Sequence, residues 1–313
     1  SILNFSPIMT NNTQIDIERE RYKKNINNIN KNKKFYLKNN RVFNTNIFYL
    51  AYHNRLDDKE ILEDLSSSIS KIKGLALNGF TKPNNQQSNL KKEMIKVGIC
   101  SEYLSFNHTV GKLYIKVLCD LLKTDLEITI YLPPGINKFN DLDMVKGYFK
   151  RVIQLPQSPY LARNIILNDN LDVLFYPDIG MSTYTYILAL SRLALVQVNS
   201  LGHANTSGIK NIDYFITSDI EPYTSDQFYT ERLIRFSRLP FNYSIPKVNE
   251  EDIRTKNLID SNKNFNIGIT QSLFKFHPDY DAVLESILNK IENSYLILIK
   301  DKCNSITNEL INR

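Results

Sequence analysis

The feature that most constrains this chain is a series of short apolar segments, separated by helical ones, between residues 95 and 217. Ile95–Cys100, Leu126–Leu132, Arg151–Leu155, Leu171–Tyr176, Leu195–Ser200 and Tyr214–Thr217 each have the length and the β-branched or aromatic content of a strand. Between them, Leu113–Lys123, Pro159–Asn168 and Tyr184–Leu193 repeat apolar residues at steps of three and four, the period of a helix with one buried face. Strands that are apolar almost end to end are buried on both sides, which requires helices above and below a parallel sheet. The expected fold class is therefore α/β. In such a sheet, ligands bind where loops leave the carboxyl ends of the strands.

The flanks differ from this middle. From Asp16 to about Lys73 the pattern is helical, with Ile61, Leu62, Leu65, Ile69 and Ile72 marking one apolar face. Thr81–Asn89 (TKPNNQQSN) reads as a linker. After the proline-punctuated Leu239–Pro246 and the charged Lys247–Arg254, Phe265–Ile269 reads as a strand, Asp279–Glu292 as a helix and Ser294–Lys300 as a strand. That is one β-α-β unit of a second sheet. It occupies about 60 residues where an α/β domain usually needs about 100 or more, so an incomplete second domain is expected, in a truncated chain, a fragment of a longer protein, or a degenerate one. The expected division is 1–92 helical, 93–246 the first α/β domain, and 247–313 the start of the second.

With 313 residues, 42% of them hydrophobic, the chain can bury an ordinary core, which excludes a disordered or fibrous protein. No apolar run approaches the roughly 20 residues of a membrane-spanning helix, and Ser1–Thr10 has no secretory pattern. A cytoplasmic protein without a membrane partner is expected, with the nucleus as an alternative. Cys100, Cys119 and Cys303 lie too far apart for a zinc motif or a disulfide framework, and read as reduced thiols in or near the core. The net charge of +6 gathers around Lys23–Lys38 (KKNINNINKNKKFYLK). That stretch has little aromatic interleaving and no nucleic-acid-binding motif, so it reads as a solvated helix face and loop, and no nucleic-acid partner is expected.

Only four histidines are present. His53, at the end of FYLAYH, reads as packed or capping. His108 (SEYLSFNHTVGK) follows the first strand of the sheet, where catalytic groups gather, and topology leaves a catalytic and a loop-stabilising role even. His203 (LGHANTSG) follows another strand, with Gly, Thr and Ser beside it that could bring donors to a phosphate or sugar. His277 (KFHPDY) precedes a helix, with capping and contact both open. No HExxH, CxxC, P-loop, GxGxxG or GxSxG motif occurs. Asp141-Leu142-Asp143 has the form of a cation-holding triplet, but such tripeptides are common and this one sits in a polar connection, so no metal is expected. Lys275, beside Gln271 and Ser272 in Gly268–Pro278 (GITQSLFKFHP), follows the first strand of the second sheet. It could neutralise a departing diphosphate without a metal, or simply face solvent.

Taken together, Leu171–Met181 (LDVLFYPDIGM), Ser191–Gly208 (SRLALVQVNSLGHANTSG) and Asn211–Ser218 (NIDYFITS) resemble the catalytic region of O-GlcNAc transferase and SPINDLY-type protein glycosyltransferases. Val97–Leu113, Tyr223–Leu233 and Gly268–Pro278 extend the resemblance in the same order, so it covers roughly residues 45–300. It implies a GT-B architecture, with two Rossmann-like domains facing each other across a cleft after helical TPR repeats, of which the first helices would be the tail or linker. The implied activity is transfer of GlcNAc from UDP-GlcNAc to Ser or Thr hydroxyls of a protein or peptide, inverting and metal-independent, with a nucleotide-sugar co-substrate and no cofactor. By position, Lys275 matches the lysine that stabilises the leaving diphosphate, and Ser272, with Gln271 beside it, the polar residues before it. His108 matches the histidine near acceptor and sugar, and His203, Thr206 and Ser207 match the loop lining the donor-sugar pocket. Ala204 and Leu195 stand where the pattern has proline. The same motifs also fit a GDP-fucose or UDP-glucose donor, or a non-catalytic interaction module.

Overall fold

The computed structural model describes residues 3–31, 45–72, 94–135, 142–243 and 265–313. Thr81–Asn89 and Lys247–Arg254 lie outside the described residues. The helices are α1 (Asn12–Lys31), α2 (Asp58–Ser70), α3 (Thr109–Leu121), α4 (Leu142–Tyr148), α5 (Pro159–Asn168), α6 (Thr183–Ala189), α7 (Asp279–Lys290) and α8 (Asn304–Asn312). None of them is long and apolar enough to cross a membrane. Contacts divide the chain into two compact units interleaved along the sequence.

The first unit comprises Ser1, Asn25–Phe48 and Leu56–Ser244. Its strands are β1 (Ile95–Cys100), β2 (Leu126–Leu132), β3 (Val152–Gln154), β4 (Leu171–Tyr176), β5 (Ala194–Ser200), β6 (Tyr214–Ser218) and β7 (Arg232–Phe236). They form one parallel sheet in the order β3-β2-β1-β4-β5-β6-β7. This is the doubly wound, Rossmann-like order, in which the chain starts in the middle and fills one side before the other. Val97 on β1 sits opposite Ile128 on one side and Val173 on the other, which puts the apolar runs in the buried centre. Ile99, Ile130 and Leu174 are fully buried, and Val110, Tyr114 and Leu118 of α3 close one face over Ile99 and Ile130.

Several elements differ from the sequence reading. Helix α3 begins at Thr109 because His108 caps it. Helix α6 stops at Ala189, where the Leu190 carbonyl accepts from Asn211 Nδ2 at 2.7 Å and the Ser191 hydroxyl accepts from Arg163 Nη1 at 3.1 Å. A turn read as a polar connection carries the short helix α4 instead. Asp141 lies outside the described residues. The expected core thiol is realised at Cys100, which is buried, whereas Cys119 is half-buried and Cys303 is exposed.

The second unit gathers Ile2–Lys24, Tyr49–Arg55 and Ile245–Arg313. Its strands β8 (Phe265–Ile269) and β9 (Ser294–Leu298) pair in parallel, with Ile267 opposite Leu296. Helix α7 joins them, as the β-α-β reading requires. Ile8, Leu273, Phe276 and Leu284 form its core, so residues near the amino terminus share a core with the last strands. Phe5 stacks on Tyr22 at 4.3 Å and meets the His53 ring edge-on at 4.9 Å. His53 is 2% exposed, which makes it a packed histidine.

Candidate functional site

The sheet of the first unit reverses its direction of growth between β1 and β4, and the loops after these strands are stitched to each other. Ser101 donates to Asp178 Oδ2 at 2.7 Å, and the Tyr103 N–H donates to the Ser101 hydroxyl at 2.9 Å. The Tyr103 hydroxyl donates to the Met181 carbonyl at 3.1 Å, and Ser182 donates to the Glu102 carboxylate. Asp178 is fully buried, and burial, reinforced by Glu102, pushes its carboxyl up to about 7. Its Oδ1 has no hydrogen-bond partner among the described residues. Composition gives no signal for this cluster, because Ser101, Glu102 and Tyr103 are consecutive but only strand order brings Asp178 and Ser182 to them.

His108 stands at the end of the first of these loops. Its Nδ1 accepts from the Val110 N–H at 3.2 Å, and its ring leans on Tyr103 at 4.6 Å between centroids. Burial, helped by Lys112, lowers its pKa. A neutral imidazole that accepts at Nδ1 carries its proton on Nε2, so this ring offers a donor to a partner rather than a base.

The loop after β5 holds the other sequence candidates. His203 is 5% exposed, packs at 4.9 Å from the Phe48 ring, and is held neutral by burial, its pKa lowered to about 4. The opposing Gly180 has φ +105°, and a Cβ there would stand 2.5 Å from the His203 ring, so glycine is what lets the two loops touch. The Thr206 hydroxyl donates to Glu231 Oε2 at 2.6 Å, the Ser207 N–H donates to Oε1 at 2.8 Å, and the Ser207 hydroxyl donates to the same oxygen. Thr206 Oγ1 also accepts from the Thr230 N–H at 3.0 Å. Gly208, at φ +67°, lies so close to Leu62 of α2 that a Cβ would meet it at 2.3 Å, and its carbonyl accepts from Ser66 at 2.5 Å. The hydroxyls of Thr206 and Ser207 are thus committed to a buried carboxylate that the sequence reading did not single out.

Gln271, Ser272 and Lys275 lie in the second unit, after β8. Ser272 precedes the short 3-10 turn Leu273–Lys275 without a side-chain capping bond, and its N–H donates to Gln271 Oε1 at 3.1 Å. Buried Leu273 and Phe276 pin that turn, while Gln271 and Ser272 stay exposed and Lys275 is half-buried. The Lys275 ammonium lies over the ring of Tyr52, 5.5 Å from its centroid. Phe274 touches the rings of Tyr49 and Tyr52 at 5.4 and 5.5 Å. Among the described residues no carboxylate pairs with Lys275. His277 caps α7, its Nδ1 accepting from the Asp279 N–H at 3.2 Å. Among the described residues, no three His, Cys, Asp or Glu side chains stand together as a metal site would require.

No protein-family model matches the chain. Two curated relatives, the UDP-glucose:protein N-beta-glucosyltransferases of Actinobacillus pleuropneumoniae serotypes 5b and 7, are each 24% identical over 156 residues, half of this chain. That match covers 24% of the length of either relative. Among solved structures, a mutant of the Thermobaculum terrenum O-GlcNAc transferase superposes with a TM-score of 0.63 at 18% identity, over 96% of this chain and 55% of that one. The fold is thus one found in an O-GlcNAc transferase, and the resemblance read from the motifs is matched by relatives that glycosylate proteins.

Proposed function

We propose that this chain is catalytic machinery of a protein glycosyltransferase, which moves a sugar from a UDP-sugar to a protein acceptor. In the first reading the sugar is GlcNAc and the acceptor a Ser or Thr hydroxyl, with inversion and without a metal. The observation that carries the proposal is Lys275, a half-buried ammonium after β8, set on an aromatic face and without a carboxylate partner among the described residues. Breaking the bond between the anomeric carbon and the diphosphate leaves negative charge on the departing oxygens. An ammonium not already neutralised can meet that charge with its N–H donors at the moment it develops. Gln271 and Ser272, exposed on the same turn, add polar groups for the phosphates.

In the first unit, the resemblance gives the remaining roles to His108, His203, Thr206 and Ser207. His108, with its proton on Nε2, donates to the acceptor or the sugar. His203, Thr206 and Ser207 act on the donor sugar through the shape of their loop, which Glu231 and Gly180 hold, because their side chains face inward. The motif resemblance, the relatives and the fold likeness support this reading, and a cytoplasmic location goes with it. A second reading, with glucose in place of GlcNAc, is favoured by the named donor of the A. pleuropneumoniae relatives.

The test is intact-mass analysis of a protein acceptor after incubation with the chain and UDP-GlcNAc, UDP-glucose or GDP-fucose in turn. Added N-acetylhexosamine on Ser or Thr, abolished by Lys275→Ala, supports the first reading, and added hexose from UDP-glucose supports the second. Transfer from GDP-fucose alone would overturn the UDP assignment. Absence of transfer from every donor, together with absence of UDP binding, would leave an interaction module instead.

A further inference from the structure

Lys275 is separated from Tyr52 by 223 residues of sequence, yet the second unit brings them together. Tyr52 ends the short 3-10 helix Ile47–Tyr52, and its ring supplies the face over which the ammonium lies. The ring is not a loose surface group. Phe274, the residue before Lys275, packs against it at 5.5 Å and against Tyr49 at 5.4 Å, so the turn that carries the lysine is keyed to the helix that carries the ring. Ser6, Pro7, Met9, His53, Phe276, His277 and Pro278 complete the wall around these aromatics. Burial raises the phenol pKa of both Tyr49 and Tyr52, in keeping with rings that are half enclosed.

A lysine side chain has four rotatable bonds, and a free one must be ordered before it can serve an anion at a fixed position. A ring face attracts the ammonium by its quadrupole while leaving N–H donors on the far side open, which a carboxylate partner would not do. We infer that Tyr52 is a positioning residue for Lys275, holding the ammonium in place and uncommitted for the diphosphate of a UDP-sugar. This rests on the reading of Lys275 given above, and it adds to that reading a residue from the segment before residue 56. The ring, not the hydroxyl, does this, so Phe should replace Tyr52 and Leu should not.

The experiment is NMR of the Lys275 side chain in the parent protein, Tyr52→Phe and Tyr52→Leu, each titrated with UDP. Protons next to the ammonium should be shifted upfield by the ring in the parent and in Tyr52→Phe, and should return to the free-lysine position in Tyr52→Leu. The UDP dissociation constant should rise about two- to fivefold in Tyr52→Leu and stay at the parent value in Tyr52→Phe. In a Lys275→Ala background, Tyr52→Leu should change nothing further, which a merely structural effect of Tyr52 would not satisfy. A Lys275 signal identical in the parent and Tyr52→Leu, or equal UDP affinity in the two, overturns the role of Tyr52 while leaving that of Lys275 standing. UDP that leaves the Lys275 resonance unmoved in the parent overturns the reading of Lys275, and with it the purpose assigned to the ring.

Discussion

The two units treat their polar side chains in opposite ways. At the carboxyl edge of the first sheet, Ser101, Tyr103, Ser182, Thr206 and Ser207 all hydrogen-bond to groups of their own fold, and His203 is packed against a glycine. In the second unit, Lys275 rests on an aromatic ring with no counter-ion among the described residues, and Gln271 and Ser272 stay exposed beside it. A motif residue therefore does not announce its job by its type. Groups that already satisfy each other shape a site, and a group left uncommitted is what a ligand can engage.

The sharpest way to break this contrast is at Glu231. Glu231→Ala leaves the Thr206 hydroxyl and both the N–H and hydroxyl of Ser207 buried without their acceptor, and should destabilise the fold by about 3 kcal/mol or more in urea unfolding. A loss below about 1 kcal/mol would show that those hydroxyls are available after all. Next in size, Gly180→Ala forces a Cβ onto the His203 ring at φ +105°, with an expected loss of about 2 kcal/mol by the same measurement.

A further effect separates two buried groups by pH. His203, at about 4 in the fold against 6.5 when exposed, refuses a proton that the unfolded chain takes up, so its contribution to stability is lost as pH falls from 6.5 towards 4. Asp178, at about 7 in the fold against 3.8, keeps a proton that the unfolded chain has released, so its contribution is lost as pH rises from about 4 to 7. The slopes oppose each other, each at most about 1.4 kcal/mol per pH unit. Relative to the parent, Asp178→Asn should gain stability as pH rises through this window, and His203→Gln should gain as pH falls. Curves parallel to the parent would place both groups in water. Smallest of all, Lys275→Ala should cost no more than about 1 kcal/mol of stability, since it removes the contact with the Tyr52 ring but no ion pair among the described residues.

Strands are readable where a short β-branched or aromatic run stands between turn-like segments. Leu171–Tyr176 and Phe265–Ile269 fall where the sequence places them, and Pro159–Asn168 is a helix to the residue. Strand β7 is not legible in the sequence, because Arg232, Ile234 and Phe236 alternate with less exposed neighbours along the rim of the sheet, a pattern weaker than a buried run. The end of α6 was hidden because Tyr186 to Leu190 are all buried, so periodicity carries no mark of where the helix stops. In the site, Lys275 and the histidines stand out by their position after strands. Glu231 and Tyr52 do not, because one meets Ser207 across 24 residues and the other meets Lys275 across 223, and only the folded chain makes them neighbours.

The central claim is that Lys275 is held ready for a diphosphate, and calorimetric titration of UDP into the parent protein and Lys275→Ala tests it most directly. The account predicts UDP binding to the parent that weakens at least about 30-fold in the variant, the equivalent of about 2 kcal/mol, while the variant still unfolds cooperatively. Equal affinity for UDP in the two proteins would contradict it.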